Sequence, residues 1–296
     1  MLHITKLSFP GLGIGEFSVN SDAFSIFGSS IAWYALIICT GMIFAVSYII
    51  FRAKQIGIDS EQVLDFAIFV IPIGVFGARL YYVLMDLDSF HSLGEVLNIR
   101  NGGLAIYGGI IAGAITVFCV CKYKKIDFLA FADCVVPGLI MAQAIGRWGN
   151  FMNGEAFGEI TDSFLRMGIR NANSIYTFNT YDMVYVHPTF LYESLWNLIG
   201  FIGVNIFYKH KKYDGQIFLM IFGWYGLGRM LIEGLRTDSL YLFGSSIRVS
   251  QALAGILFVA CTSLLVYFAI KKPQRPFYVM KKVDSANVNK KVEKSK

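Results

Sequence analysis

Residues 146–158 read GRWGNFMNGEAFG and follow a strongly apolar run. Arg147, Asn150, Asn153 and Glu155 fall within nine residues, interspersed with four glycines. A guanidinium beside amides and a carboxylate suits an anion. Arginine holds its charge almost unconditionally and offers paired donors in the geometry of phosphate oxygens. Ionisable groups at the edge of a bilayer are costly, so their presence calls for a function. The glycines predict an irregular backbone, which lipid tolerates only where it is buried in protein or lines a wet cavity.

A second charged set, RMLIEGLR, carries Arg229, Glu233 and Arg236. Arg229 and Glu233 are four apart and share a helix face, and Arg236, seven beyond Arg229, lies close to it. A structural salt bridge accounts for one arginine, and the surplus positive charge leaves another for a ligand. Arg79, in GARLYY (77–82), is either a snorkelling or helix-pairing arginine or a charge aimed into a polar cavity. His187 and Glu193 lie in HPTFLYES, where Pro188 suits an early helical position and a lone histidine is either structural or chemical. Tyr34, beside Trp33, belongs either to an aromatic belt or to a site. Asp133, inside an apolar run, either pairs helices or fixes an arginine. Arg79, Arg147, Arg229 and Arg236 map to one side of the membrane, each flanked by glycine or an acid. Together they predict an anion site in a lipid-accessible cavity, with a phospholipid phosphate as the natural anion.

The elements that must position these residues follow from hydropathy. The chain is 55% hydrophobic and 16% charged, against about 25% charged in a soluble domain. A span needs roughly 20 mainly apolar residues. Seven candidates fall at about 30–51, 63–85, 104–121, 127–145, 188–208, 216–233 and 247–270. Gly108, Gly109 and Gly113 favour close helix approach in the third. With the N-terminus outside, the inner segments hold seventeen Lys and Arg and the outer ones seven, as the positive-inside bias requires. The expected fold is an all-α polytopic membrane protein: seven transmembrane helices with a small extracytoplasmic head in the loop after the fourth. Residues 1–29 are an extracytoplasmic segment, and 30–270 the membrane domain. The longest loop, 146–187, forms the head, with Asn171, Asn173, Tyr176, Asn179, Tyr181 and Tyr185 along it. Residues 271–296, with nine Lys or Arg, form a basic, disordered cytoplasmic tail facing anionic lipid rather than nucleic acid. The five cysteines all fall in apolar stretches with no CxxC, as buried hydrophobes do. The N-terminus carries no convincing signal-peptide pattern.

GRWGNFMNGEAFG resembles the signature motif of bacterial prolipoprotein diacylglyceryl transferases. AWYALI near Tyr34, GARLYY, GGLAIYGG (102–109), ADCVVPG (132–138), HPTFLYES and GWYGLGRMLIEGLRTD (223–238) resemble further blocks of that family, in its order. The resemblance implies transfer of the diacylglyceryl group of phosphatidylglycerol to the lipobox cysteine of a prolipoprotein. The products are a thioether-linked lipid and glycerol phosphate; this is the first step of lipoprotein maturation, in the bacterial plasma membrane. It implies no metal or organic cofactor.

Arg147, Asn150, Glu155 and Gly158 match the family's motif positions. Arg229, Glu233 and Tyr225 match its second cluster, and Tyr34 a tyrosine of the first span. The resemblance places Arg147 and Arg229 on the phosphate and Asn150 on the headgroup, with Glu155 and Glu233 holding the arginines and Arg79 and Arg236 in support. One position departs from the pattern. Many relatives have His-Gly-Gly where this chain has Tyr107-Gly108-Gly109, and a phenol is a poor proton acceptor at neutral pH. His187 is the alternative on chemistry. Two other functions use the same features: a transporter or flippase for an anionic lipid or metabolite, and a membrane transferase acting on another acceptor.

Overall fold

The computed structural model describes residues 4–26, 29–99, 102–170, 182–237, 248–271 and 278. Four strands open the chain: β1 (Ile4–Phe9), β2 (Ile14–Asn20), β3 (Asp22–Ile26) and β4 (Ser29–Ala32). Helices α1 (Trp33–Ala53), α2 (Ser60–Met85), the short α3 (Leu93–Leu97), α4 (Ile106–Lys124) and α5 (Phe128–Asn153) follow. Then come β5 (Met167–Arg170), β6 (Val184–Val186), α6 (Thr189–Phe207), α7 (Gln216–Glu233) and α8 (Val249–Lys271). Among the described residues, α1, α2, α4, α5, α6 and α8 are long and apolar enough to cross a membrane. The chain is therefore a mostly helical, polytopic membrane protein. Helix α7 is 18 residues long and includes Arg229 and Glu233; it lies at the sixth expected span, 216–233, but is not among the six helices long and apolar enough to cross.

An all-α fold does not hold. The described residues contain a four-stranded sheet in the order β2-β1-β5-β6 and a separate β3–β4 hairpin. β1 and β2 are joined by a single turn at Pro10–Leu12, closed by Gly13 in the left-handed region at φ 71°. β1 then pairs antiparallel with β5, setting Leu7 opposite Ile169. The sheet thus joins the N-terminal segment to the loop after α5. Its apolar face is a small core of Leu7, Val19, Met167, Ile169 and Val186, with Phe157 and Phe190. Leu7, Ile169 and Val186 are wholly buried, and each such side chain contributes about 1.5–3 kcal/mol. Of the polar residues expected in a head, Tyr185 lies in β6, while Asn171, Asn173, Tyr176, Asn179 and Tyr181 lie outside the described residues. So does the tail, apart from Lys271 and Tyr278.

The structure also redraws the opening motif. α5 runs through GRWGNFMN and stops only at Gly154, whose φ is 63°. The irregular backbone expected across 146–158 is confined to its last residues, where Ala156 also has φ 55°. Within the helix, Gly149 serves close approach: a Cβ there would stand 2.6 Å from the Tyr34 ring.

The chain divides into two compact units, one from Met1–Ala45 and Val135–Arg275, the other from Val46–Cys134 and Pro276–Lys296. In the second, α2 and α4 pack through small residues. A Cβ on Gly108 would lie 2.3 Å from the Gly77 carbonyl oxygen, the close approach that glycines permit between membrane helices. In the first, α6 and α7 are locked by Trp196 and Trp224. Their rings stack at 4.2 Å and 16°. Each indole N–H donates to the other residue's carbonyl, at 2.9 and 2.8 Å. That lock sets the register of the charged residues on the two helices.

Candidate active site

Glu193, in the second turn of α6, is the centre of the charged cluster. Its carboxylate receives Arg147 Nη2 at 2.6 Å, Arg229 Nη1 at 3.3 Å and Arg236 Nη1 at 3.0 Å. Arg229 also reaches Glu233 at 2.6 Å, from one turn earlier on α7. Both carboxylates are buried, with side-chain exposures of 6% and 2%. Among the described residues, two carboxylates face three guanidiniums. Taking a charge out of water costs several kcal/mol unless it is paired and hydrogen-bonded. Among the described residues the cluster carries more guanidiniums than carboxylates, the sign of charge that a phosphodiester anion needs.

Arg147 sits near the end of α5, and the side chains after it extend the network. Its Nη1 donates to Asn150 Oδ1 at 3.4 Å. Asn150 and Asn153 both donate their amide N–H to Glu155 Oε1 at 3.1 Å. Glu155 therefore does not hold an arginine directly, as expected of it. It reaches Arg147 through Asn150 and fixes which face of the amide turns to the guanidinium. Glu233 does hold Arg229. Tyr225, on α7, lies near Arg147. Tyr34 packs its ring on Gly149, immediately before Asn150 in the chain.

Gly158 and His187 build a strap beside the cluster. Gly158 bridges Arg236 in antiparallel fashion, and its N–H donates to the His187 carbonyl at 2.9 Å. A Cβ on Gly158 would lie 2.7 Å from both His187 Cβ and the Leu235 carbonyl oxygen, so only glycine fits. The His187 ring contacts the Tyr192 hydroxyl at 3.3 Å; this histidine braces the strap and does not join the arginines.

Three expected residues belong to the second compact unit. The Arg79 guanidinium is bound by four backbone carbonyls. Nε donates to Val96 at 2.8 Å, Nη2 to Glu95 at 2.6 Å, and Nη1 to Gly102 and Gly103 at 3.0 Å each. With its donors directed to the backbone, Arg79 is a clamp on the 95–103 segment, bordering a cavity of about 310 Å³ with Tyr82 and Phe90. The phosphate-binding role expected of it is not what this geometry provides. Tyr107, also in that unit, lies in the first turn of α4 and is exposed. Asp133 is wholly buried and lies 14 residues before Arg147 in the sequence of α5.

Glu193, singled out in HPTFLYES, received no role from the sequence. Its signal was present: an acid one turn into an apolar helix is as costly as an arginine there. The site also has an apolar neighbour, a groove of about 270 Å³ between α1, α5 and α6, lined by Ile37, Met141, Ile145, Trp148, Ser194 and Leu198 among others. The Ser194 hydroxyl donates to the Ala144 carbonyl at 3.0 Å, leaving the groove wall predominantly apolar. Trp148 and Ser194 directly follow Arg147 and Glu193 in the chain, so the groove opens beside the charged cluster.

Comparison with known proteins fits this site. The family model described as prolipoprotein diacylglyceryl transferase matches residues 21–267. The phosphatidylglycerol–prolipoprotein diacylglyceryl transferase 1 of Clostridium perfringens is 40% identical over 266 residues, covering 88% of this chain and 100% of that protein. The enzymes of that name from Listeria innocua and Enterococcus faecalis are 41% and 42% identical, over 92% and 88% of this chain and 98% and 94% of their own. The chain belongs to the prolipoprotein diacylglyceryl transferase family.

Proposed function

We propose that this protein transfers the diacylglyceryl group of phosphatidylglycerol to the lipobox cysteine of a prolipoprotein. The observation that carries the reading is the convergence of Arg147, Arg229 and Arg236 on Glu193, in a chain of this family. A transporter would use the same cations, and the family relationship favours the transferase.

The cysteine thiolate attacks the glyceryl carbon that bears the phosphate ester. A C–S bond forms, the C–O bond breaks, and glycerol phosphate leaves with the electron pair. Negative charge grows on the departing phosphate, and fixed cations in a water-poor site stabilise it without reorganising. Arg147 and Arg229 take that role. Arg236 supports ground-state binding, Asn150 orients the headgroup, and Glu193 and Glu233 keep the guanidiniums in place. The apolar groove at Trp148 and Leu198 receives an acyl chain. Tyr34, Tyr225 and Gly158 shape the site around the headgroup. The thiol must lose its proton, since the thiolate is the nucleophile. Tyr107 is the candidate acceptor on the family pattern alone.

In the bacterial plasma membrane α7 supplies the seventh span, and the sheet forms an extracytoplasmic head. The basic tail lies in the cytoplasm against anionic lipid. The test is direct. Purified protein with phosphatidylglycerol vesicles and a lipobox peptide is expected to release glycerol phosphate and to add the mass of the diacylglyceryl group to the peptide. A Cys→Ser peptide is expected to do neither. Absence of transfer to the cysteine peptide would overturn the assignment.

A further inference from the structure

Arg248, immediately before α8, is one of the few buried cations, at 8% exposure, and has no contact with Glu193 among its described bonds. Its Nη1 donates to the Glu233 backbone carbonyl, and its Nη2 meets Glu159 Oε1 at 3.1 Å. The last carbonyls of a helix have no partner within it, and a cation there is favoured by the helix dipole. Arg248 thus caps the end of α7 with one arm of its fork. The other arm holds Glu159, which is the centre of the strap. Glu159 N–H donates to the Leu235 carbonyl at 2.8 Å, and its own carbonyl accepts from His187 N–H at 3.0 Å. Its neighbour Gly158 bridges Arg236.

We propose that Arg248 is a positioning residue for the anion site, acting through Arg236. One planar guanidinium links the helix end that carries Glu233 to the strap that lies along the Arg236 backbone. The Arg236 side chain must reach Glu193 from three residues past that helix end. Its 3.0 Å contact depends on the turn 233–236 holding its course. Intrahelical bonds do not extend that far, since the Glu233 carbonyl accepts from Arg236 N–H at 3.2 Å in a terminal turn. Arg248 and the strap hold the turn from both sides. Lysine cannot substitute fully, because a single ammonium lacks the planar fork that addresses a carbonyl and a carboxylate together.

The inference rests on the transferase reading, and its test is run on wild-type protein already shown to transfer, so the two can fail separately. Phosphatidylglycerol is titrated in mixed micelles at saturating lipobox peptide, with full-length Arg248→Gln, Arg248→Lys, Glu159→Gln and the double variant Arg248→Gln/Glu159→Gln. Misplacing an arginine that binds ground state and transition state alike raises KM and leaves kcat. Arg248→Gln is expected to raise KM for phosphatidylglycerol about tenfold, with kcat within about twofold of wild type. Arg248→Lys should fall between the two. Glu159→Gln should raise KM by less, and the double variant should be no worse than Arg248→Gln, because both changes cut one link. A residue that only stabilises the fold would lower recovered activity at unchanged KM. Unchanged KM in Arg248→Gln overturns the proposal. If that variant does not fold, unchanged KM in both Arg248→Lys and Glu159→Gln overturns it.

Discussion

At the scale of residues, the site is a problem in charge balance. Three guanidiniums close together repel unless an anion lies between them, and Glu193 is such an anion. Glu193→Gln keeps the shape and removes the charge. Breaking a buried ion pair from one side costs about 3–5 kcal/mol, so this variant is expected to melt well below wild type in detergent. An unchanged melting temperature would show that the arginines are held by other groups. Arg147→Lys tests the opposite partner. It keeps the charge and loses the paired N–H donors, and kcat is expected to fall about 10²–10³-fold, as when one preorganised donor to a developing oxyanion is lost. Full activity with Arg147→Lys would mean that a point charge is enough. The arginines were legible in the sequence because each is expensive in an apolar run. Their shared acid was less so. Glu193 is 46 residues from Arg147 and 36 from Arg229 in the chain, and which carboxylate three cations share is decided by packing.

At the scale of elements, the helices were readable and the sheet was not. Runs of about 20 apolar residues announce themselves, and every expected span has a helix in the structure within a few residues of its core. β5 and β6 are only four and three residues long. β1 finds its partner β5 some 160 residues downstream, and no local pattern encodes such a pairing. The motif glycines misled for a related reason. Gly149 looks like a break in the helix but is a contact surface for Tyr34. The α6–α7 lock offers the sharpest test of glycine as contact. A Cβ on Gly228 would stand 2.2 Å from Trp196 Nε1, the atom that donates to the Trp224 carbonyl. Gly228→Ala must push the indole away and strain the stack, at a cost of about 1–3 kcal/mol. Because Arg229 follows directly and Glu193 lies three residues before Trp196, transfer activity should fall together with the melting temperature. A variant as stable as wild type would show that the two helices slide freely past each other.

At the scale of the whole molecule, the open quantity is the number of crossings. The six longer helices would put both chain ends on one side, and α7 as a further span would put them on opposite sides. Eighteen residues rise about 27 Å, close to the roughly 30 Å of a hydrocarbon core, so length permits the crossing. Composition is what makes α7 marginal, and the fold offsets that by pairing Arg229 with Glu233 at 2.6 Å, by burying Glu233 and by pairing Arg229 with Glu193 on α6. With the N-terminus outside, the Lys and Arg distribution favours the odd number. With six crossings and the N-terminus outside, the nine basic residues of 271–296 would lie outside, against the positive-inside bias. We therefore expect a green fluorescent protein fused after residue 296 to be bright and an alkaline phosphatase fused there to be inactive. A phosphatase fused after residue 237 should be active, and one fused after 212 inactive. Activity at both 237 and 296 would mean that α8 does not cross. Inactivity at 237 together with activity at 296 would mean that α7 stays on one side, leaving its arginines to reach the lipid without spanning the membrane.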